Sequence, residues 1–288
     1  MKNISLFRAK RWSETLAGFA FSLVAIVVAF FFLWLVCDVL AQGFSGIDLE
    51  FLTGSPEKFG TAGGIFPMIA SSLLVLLVAL VVALPVSIAT AIYLSEFSRR
   101  SWLSFMVERG LIILASVPSV VFGLFGYTLF CNLLGLGYSI LSGGLTLAFM
   151  ILPIMIRSLQ TGLESVPAEY RLAAASLAIS KRTSVVSILL PAAAPGLIVG
   201  LVLGIGRVLA ETAALLFTSG FVDRTPGSLL DSGRTMSIHI YELSMNVAGG
   251  EPNAYATALV LLILILSINM TAILLADRLL KRQVSLFQ

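Results

Sequence analysis

The 288-residue sequence predicts an all-α integral membrane protein, a helical bundle of six transmembrane helices in a single domain over residues 1–288. Three observations carry that expectation. Only 11% of residues are charged and 58% are hydrophobic, with mean hydropathy +1.03, whereas soluble domains have about a quarter of their residues charged. Apolar runs recur that are long enough to cross about 30 Å of hydrocarbon as helices. Lys and Arg fall almost entirely on one side of those runs.

The first run, 16–41, follows the basic residues Lys2, Arg8, Lys10 and Arg11 and is interrupted only by Asp38, which reads as interfacial. A cleaved signal peptide has an apolar region of about 7–15 residues and a small-x-small site. This run is longer and lacks the site, so it predicts a retained helix. The second span, 65–94, is 30 residues long, about 45 Å as a helix. Either it tilts, or its Gly63-Gly64-Ile65-Phe66-Pro67 opening lies outside the core, and Pro85 is positioned to kink it. The third span, 110–134, carries Pro118 mid-membrane, and the fourth covers 138–156. A polar stretch, 157–191, precedes the fifth span, 192–218, and the sixth, 254–276, follows a polar loop. Cys37 and Cys131 have no CxxC partner or His cluster and are expected to be buried thiols.

Orientation follows from the positive charges. Of the 18 Lys and Arg, 14 lie on one side of the predicted spans: the N-terminal four, Arg99, Arg100, Arg109, Arg157, Arg171, Lys181, Arg182, Arg278, Lys281 and Arg282. Lys58, Arg224 and Arg234 lie on the other. Both termini and the 157–191 loop are therefore expected to be cytoplasmic.

Arg207 is left inside the fifth span, with Glu211 at i+4, within salt-bridge reach on one helix face. A charge at the bilayer centre costs at least about 2.5–3.5 kcal/mol, so it normally faces protein or water and marks a pathway. Gly196, Gly200, Gly204, Arg207 and Glu211 share a helix sector about 80° wide, a small-residue face suited to close packing. Two readings stay open: an ion pair that only fixes packing, or an anion-handling site on a transport route. The guanidinium fork suits phosphate-like oxyanions because it pairs two oxygens at once.

The stretch Val166–Pro191 is a run of helix formers between two spans, with Pro167 placed to start a helix and Lys181-Arg182 suited to a helix C-terminus. It reads either as a handle displayed to a partner protein or as a plain interfacial helix. No Lys follows a Gly, so no Walker phosphate loop exists, and there is no HExxH, CxxC or GxSxG. The lone His239, in the external segment, is expected to be structural rather than catalytic. The chain is expected not to be an enzyme, and neither a metal nor a catalytic residue is expected.

From Leu172 to Pro191 the sequence resembles the EAA loop of bacterial binding-protein-dependent ABC-transporter permeases, E-A-A-x3-G-x9-I-x-L-P. Here it reads Leu172-Ala173-Ala174-x3-Ala178-x9-Ile188-x-Leu190-Pro191, with the spacing kept over 20 positions and Glu and Gly replaced by Leu172 and Ala178. The resemblance implies a type I ABC importer fold and a coupling helix at residues 172–191 that docks on an ATPase. Replacing the Gly implies a softer break after that helix. Gly63-Gly-Ile-Phe-Pro67, the Arg207-Val-Leu-Ala-Glu-Thr-Ala213 element and Gly233–Tyr241 narrow the resemblance to phosphate permeases of the PstA type. PstC-type sister permeases share many of these features; the Gly-Gly-Ile-Phe-Pro opening and the Ile-His-Ile-Tyr segment favour the PstA type.

The resemblance implies a permease subunit of the bacterial inner membrane that imports inorganic phosphate past Arg207 and Glu211. The implied partners are a PstC-like sister permease, a PstB-like ABC ATPase dimer that binds the ATP, and a PstS-like phosphate-binding protein. This chain itself would hold no cofactor. The rival readings are a molybdate or sulfate importer of the same type, an ion-coupled secondary transporter, which needs no ATPase-docking loop, and a membrane scaffold, which leaves Arg207 unexplained.

Overall fold

The computed structural model describes the backbone of residues 2–97 and 101–284 and the side chains of residues 18–97 and 101–274. The side chains of Lys2, Arg8, Lys10, Arg11, Arg99, Arg100, Arg278, Lys281 and Arg282, nine of the 14 that make up the expected positive-charge bias, lie outside the described residues.

Long apolar segments in lipid must bond their own N–H and C=O groups, and so fold as helices. Helix α1 (Lys2–Gly43) leads to the short α2 (Leu49–Thr53), capped by Asp48, whose carboxylate accepts from the Phe51 N–H at 2.6 Å. Strands β1 (Pro56–Glu57) and β2 (Ala62–Gly63) pair antiparallel. Gly63, at φ +77°, is pressed against the Ser55 carbonyl, where a side chain could not fit. Helix α3 (Phe66–Ile92) starts with Pro67 in its first turn and ends in a π turn, Tyr93–Phe97. The Gly63-Gly64-Ile65 opening therefore lies outside the helix, and α3 continues as one element through Pro85.

The third expected span is a sharp break. Helices α4 (Trp102–Ser116) and α5 (Ser119–Gly126), the latter extended by a π turn to Leu133, belong to segments that meet at 106°. Pro118 crowds its predecessor out of the helical region, and Val117 takes ψ 128°. Helix α6 (Ile140–Ser165) overruns the expected end at Ile156, so Arg157 belongs to the span and the coupling segment begins at Val166. That segment comprises α7 (Ala168–Ser176), α8 (Lys181–Ser184), a π turn Val185–Leu189 and α9 (Leu190–Ala192). Helix α10 (Ala194–Ala210) stops short of the expected Thr218, and α11 (Ala213–Leu216), α12 (Met236–Met245) and α13 (Glu251–Val284) complete the chain. Among the described residues, four helices are long and apolar enough to cross a membrane, or six spans if each bent pair is one.

The main core lies between α3, α6 and α10, where Met68, Val75, Ala79, Leu147, Ile151, Met155, Val208 and Leu209 are buried together. A second, smaller cluster sits at the other end of the same helices. Ala91 and Leu94 of the α3 end meet Ile156, Leu159 and Leu163 of α6 and Val185 and Leu189 beyond α8. Helix α1 is peripheral, its Phe19, Phe31 and Trp34 exposed as lipid or a partner would require, and it meets α13 where Gly43 approaches Tyr255 and Leu259. Cys131 is buried, but Cys37 is exposed on this outer helix, contrary to expectation, because α1 packs by one end only.

Candidate translocation site

The glycine face of α10 does what its spacing predicts. A Cβ on Gly196 would lie 2.7 Å from the Gly162 Cα and 2.6 Å from the Ser158 carbonyl oxygen, and one on Gly200 would crowd Met155 and Ser158. Backbone meets backbone, so α10 and α6 pack closely along this seam.

Arg207 lies just beyond that contact, in the last turn of α10, where the helix dipole favours a cation. It lines a cavity of about 390 Å³ with Leu111, Ile112 and Ala115 of α4 and Met150, Pro153, Ile154, Arg157 and Ser158 of α6. A second cation, Arg157, thus shares the cavity, which sequence reasoning placed in a loop. Arg157 donates to Gln160 Oε1 at 3.1 Å, and Gln160 Nε2 in turn donates to Glu164 at 3.1 Å. A second cavity of about 410 Å³ begins at the same Arg157 and Ser158 and runs past Thr161 and Ser165 toward the coupling segment. The walls are otherwise apolar, so the polar groups form a strip along one side of α6 with Arg207 of α10 beside it, although the Ser165 hydroxyl already donates to the Gly162 carbonyl at 2.8 Å.

Glu211 does not continue the helix face. Helix α10 ends at Ala210 and Glu211 is extended, at φ −76° and ψ 128°. Its carboxylate accepts from the Ala214 N–H at 3.2 Å, and its carbonyl accepts from the Ser237 hydroxyl at 2.6 Å. The i+4 pair with Arg207 that a continuous helix would allow is not formed; the one ion pair among the described residues joins Arg171 to Glu96.

The coupling segment keeps the sharp break that its missing glycine put at issue. Ala178 takes φ +53°, while Ala178 N–H bonds the Ala175 carbonyl at 3.0 Å and Ile179 N–H bonds the Ala174 carbonyl at 3.0 Å. This is the Schellman ending, with Ala in the left-handed position usually held by Gly. Leu172 is 67% exposed and Leu177 74%, whereas Ala174 is buried. Ala173 is exposed, and Ile188 and Leu190 pack on the smaller core just before Pro191.

Leu172 and Leu177 are thus displayed at a short helix held on the bundle of α3, α6 and α10. The family model for the binding-protein-dependent transport system inner membrane component matches residues 82–285. The chain belongs to this family. As such a permease it is 34% identical to the phosphate transport system permease protein PstA of Mycobacterium leprae, over 91% of this chain and 87% of that one. It is 29% identical to the probable ABC transporter permease protein YqgI of Bacillus subtilis, over 91% and 95%. The permease fold also matches a solved structure of the MetNI methionine ABC transporter, with TM-score 0.56 and 16% identity, over 76% of this chain and 94% of that chain. Family membership implies a substrate-binding protein and an ATPase as partners.

On the permease's other face, His239 of α12 is fully buried beneath Gly60, whose Cβ would lie 2.7 Å from the ring. Burial, with Arg234 nearby, pushes its pKa down to about 4, and Asp223 only partly opposes this. The ring is thus held neutral near pH 7, and neither of its buried nitrogens has a hydrogen-bond partner among the described residues.

Proposed function

We propose that this permease imports inorganic phosphate, pairing with a PstC-like sister permease, a PstB-like ATPase dimer and a PstS-like binding protein outside the inner membrane. The convergence of Arg157 and Arg207 on one cavity carries the reading. Two guanidiniums match the charge of a phosphate dianion, and each can pair two oxygens. The PstA relative supports phosphate as the cargo. The chain itself hydrolyses nothing: ATP closes the partner ATPases, the coupling helix moves with them, and the spans switch from inward- to outward-facing. Phosphate delivered from outside passes Arg207 and Arg157, then the hydroxyls of Ser158, Thr161 and Ser165. Glu211 serves this route by ending α10, which leaves Arg207 in the final turn beside the cavity.

A cavity of donors accepts any tetrahedral oxyanion, so the test compares them. Phosphate, sulfate and molybdate would each be added to the complex reconstituted with its binding protein, and ATP hydrolysis measured. Stimulation by phosphate alone is expected; stimulation by sulfate or molybdate instead would replace the assignment.

A further inference from the structure

Helix α7 is joined to its permease by little apolar surface: of its nine residues only Ala174 is buried. What orients it is Arg171. Its guanidinium donates through Nε to both carboxylate oxygens of Glu96, at 3.1 and 3.3 Å, and through Nη2 again to the same carboxylate. The remaining donors reach the Val166 carbonyl at 2.9 Å and the Leu163 carbonyl at 2.8 Å. One side chain therefore ties three elements together: α7, the C-terminal end of α6, and the π turn that ends α3. Glu96 is nearly covered, with its side chain 7% exposed. A second tie runs parallel, with the Lys181 ammonium 4.7 Å from the centre of the Phe97 ring.

Along the chain, α7 connects directly to α6 and, through α8, to α10. It connects to α3 only through space. We propose that Arg171 and Glu96 are positioning residues that form a strut, delivering movement of the coupling helix to α3 as well as to its covalent neighbours. This rests on the reading that α7 docks the partner ATPase. A forked, charged pair suits the task because it resists rotation as well as separation. The π turn at Tyr93–Phe97 suits it too, since its buried Leu94 carries a movement of Glu96 directly against Ile156, Leu159 and Leu163 of α6.

The test uses the whole complex with its ATPase. Glu96→Gln removes the charge pair and leaves the donors of Arg171 free to hold the two carbonyls. Hydrogen exchange would be followed at 168–176 and at 93–97, with and without a non-hydrolysable ATP analogue. In the unaltered complex nucleotide should change exchange at both segments. In Glu96→Gln the change at 168–176 should remain and that at 93–97 should vanish. Substrate moved per ATP hydrolysed should fall about tenfold, the size expected for losing a hydrogen-bonded charge. Arg171→Gln/Glu96→Gln should be no worse than Arg171→Gln alone, since both break one strut. A nucleotide effect at 93–97 that survives in Glu96→Gln, or is missing from the unaltered complex, would overturn the strut, as would loss of ATPase co-purification in Glu96→Gln. The exchange readout does not depend on which oxyanion is carried, so a failed phosphate assignment would leave it standing.

Discussion

Arg207 of α10 and Arg157 of α6 open onto the same cavity, so two cations share one largely apolar-walled space, and among the described residues no carboxylate pairs with either. Arg157 is steadied by the Gln160 amide, while Arg207 is exposed at a helix end. Like charges held together in this way repel in the empty state and gain most from a multivalent anion between them. On the proposed reading, the arrangement serves as a ligand site rather than a packing device.

Arg207→Gln should therefore lower ATP-driven phosphate uptake by about 100-fold, the upper range for a hydrogen bond to a charged group, with the complex still assembled. Arg157→Gln should cost less, about tenfold, because the neutral Gln160 already occupies one of its donors. Uptake into vesicles, with ATPase co-purification as the assembly control, measures both. Unchanged uptake in Arg207→Gln would remove that residue from the route.

Ala178 is the residue at which sequence and backbone disagree most. An Ala at φ +53° carries a penalty of about 1 kcal/mol that Gly avoids, partly offset by the entropy that Gly loses on folding. Ala178→Gly should leave coupling intact and raise thermal stability slightly. Ala178→Val, branched at a position that disfavours any Cβ, should loosen the break and stop the ATPase from co-purifying. A Trp at Ala174, buried beneath the same turn, should do likewise. Normal docking in both would detach the handle from the ATPase.

His239 makes stability depend on pH outside the spans. Its folded pKa is about 4 against 6.5 unfolded, so between those values the unfolded chain binds the extra proton. Stability should fall as pH drops from 6.5 toward 4, by up to about 1.4 kcal/mol per unit, and level off below. His239→Phe should flatten that part of the melting-temperature profile in detergent. An unchanged slope would place the proton uptake elsewhere.

The spans were legible because an apolar run in lipid has to fold as a helix, and the Gly196–Gly200 face because small residues at i and i+4 admit a backbone. The end of α10 was not legible. No Gly or Pro marks Ala210; the helix is stopped by the hydroxyl of Ser237, 26 residues further along, and by the capping carboxylate of Glu211. Pro118 was visible, but the size of its bend depends on α5 packing Gly123 against Ala214 of α11. Arg157 was misplaced because the polar run Arg157-Ser158 and Gln160-Thr161, of which Arg157, Ser158 and Thr161 line the cavities, has the composition of a loop. The Arg171–Glu96 pair, 75 residues apart, leaves no local signal at all.

The orientation rests on a charge bias, and the structure shows which residues can report it. Ser237, in the segment expected outside, is 6% exposed and donates to the Glu211 carbonyl, so a cysteine there would be shielded whichever side it faced. Met245, at the end of α12, is 72% exposed and clear of the core. On the coupling segment, Ser180 is exposed. In an otherwise cysteine-free chain, Met245→Cys should react with an impermeant maleimide added to intact cells. Ser180→Cys should react only after the membrane is opened, and less when the ATPase is bound. The positive-inside bias favours this pattern by placing Arg171, Lys181 and Arg182 on the side that keeps its Lys and Arg. The reverse labelling would turn the molecule over, moving α7 away from any cytoplasmic ATPase and with it the coupling assigned to Ala174 and Ala178.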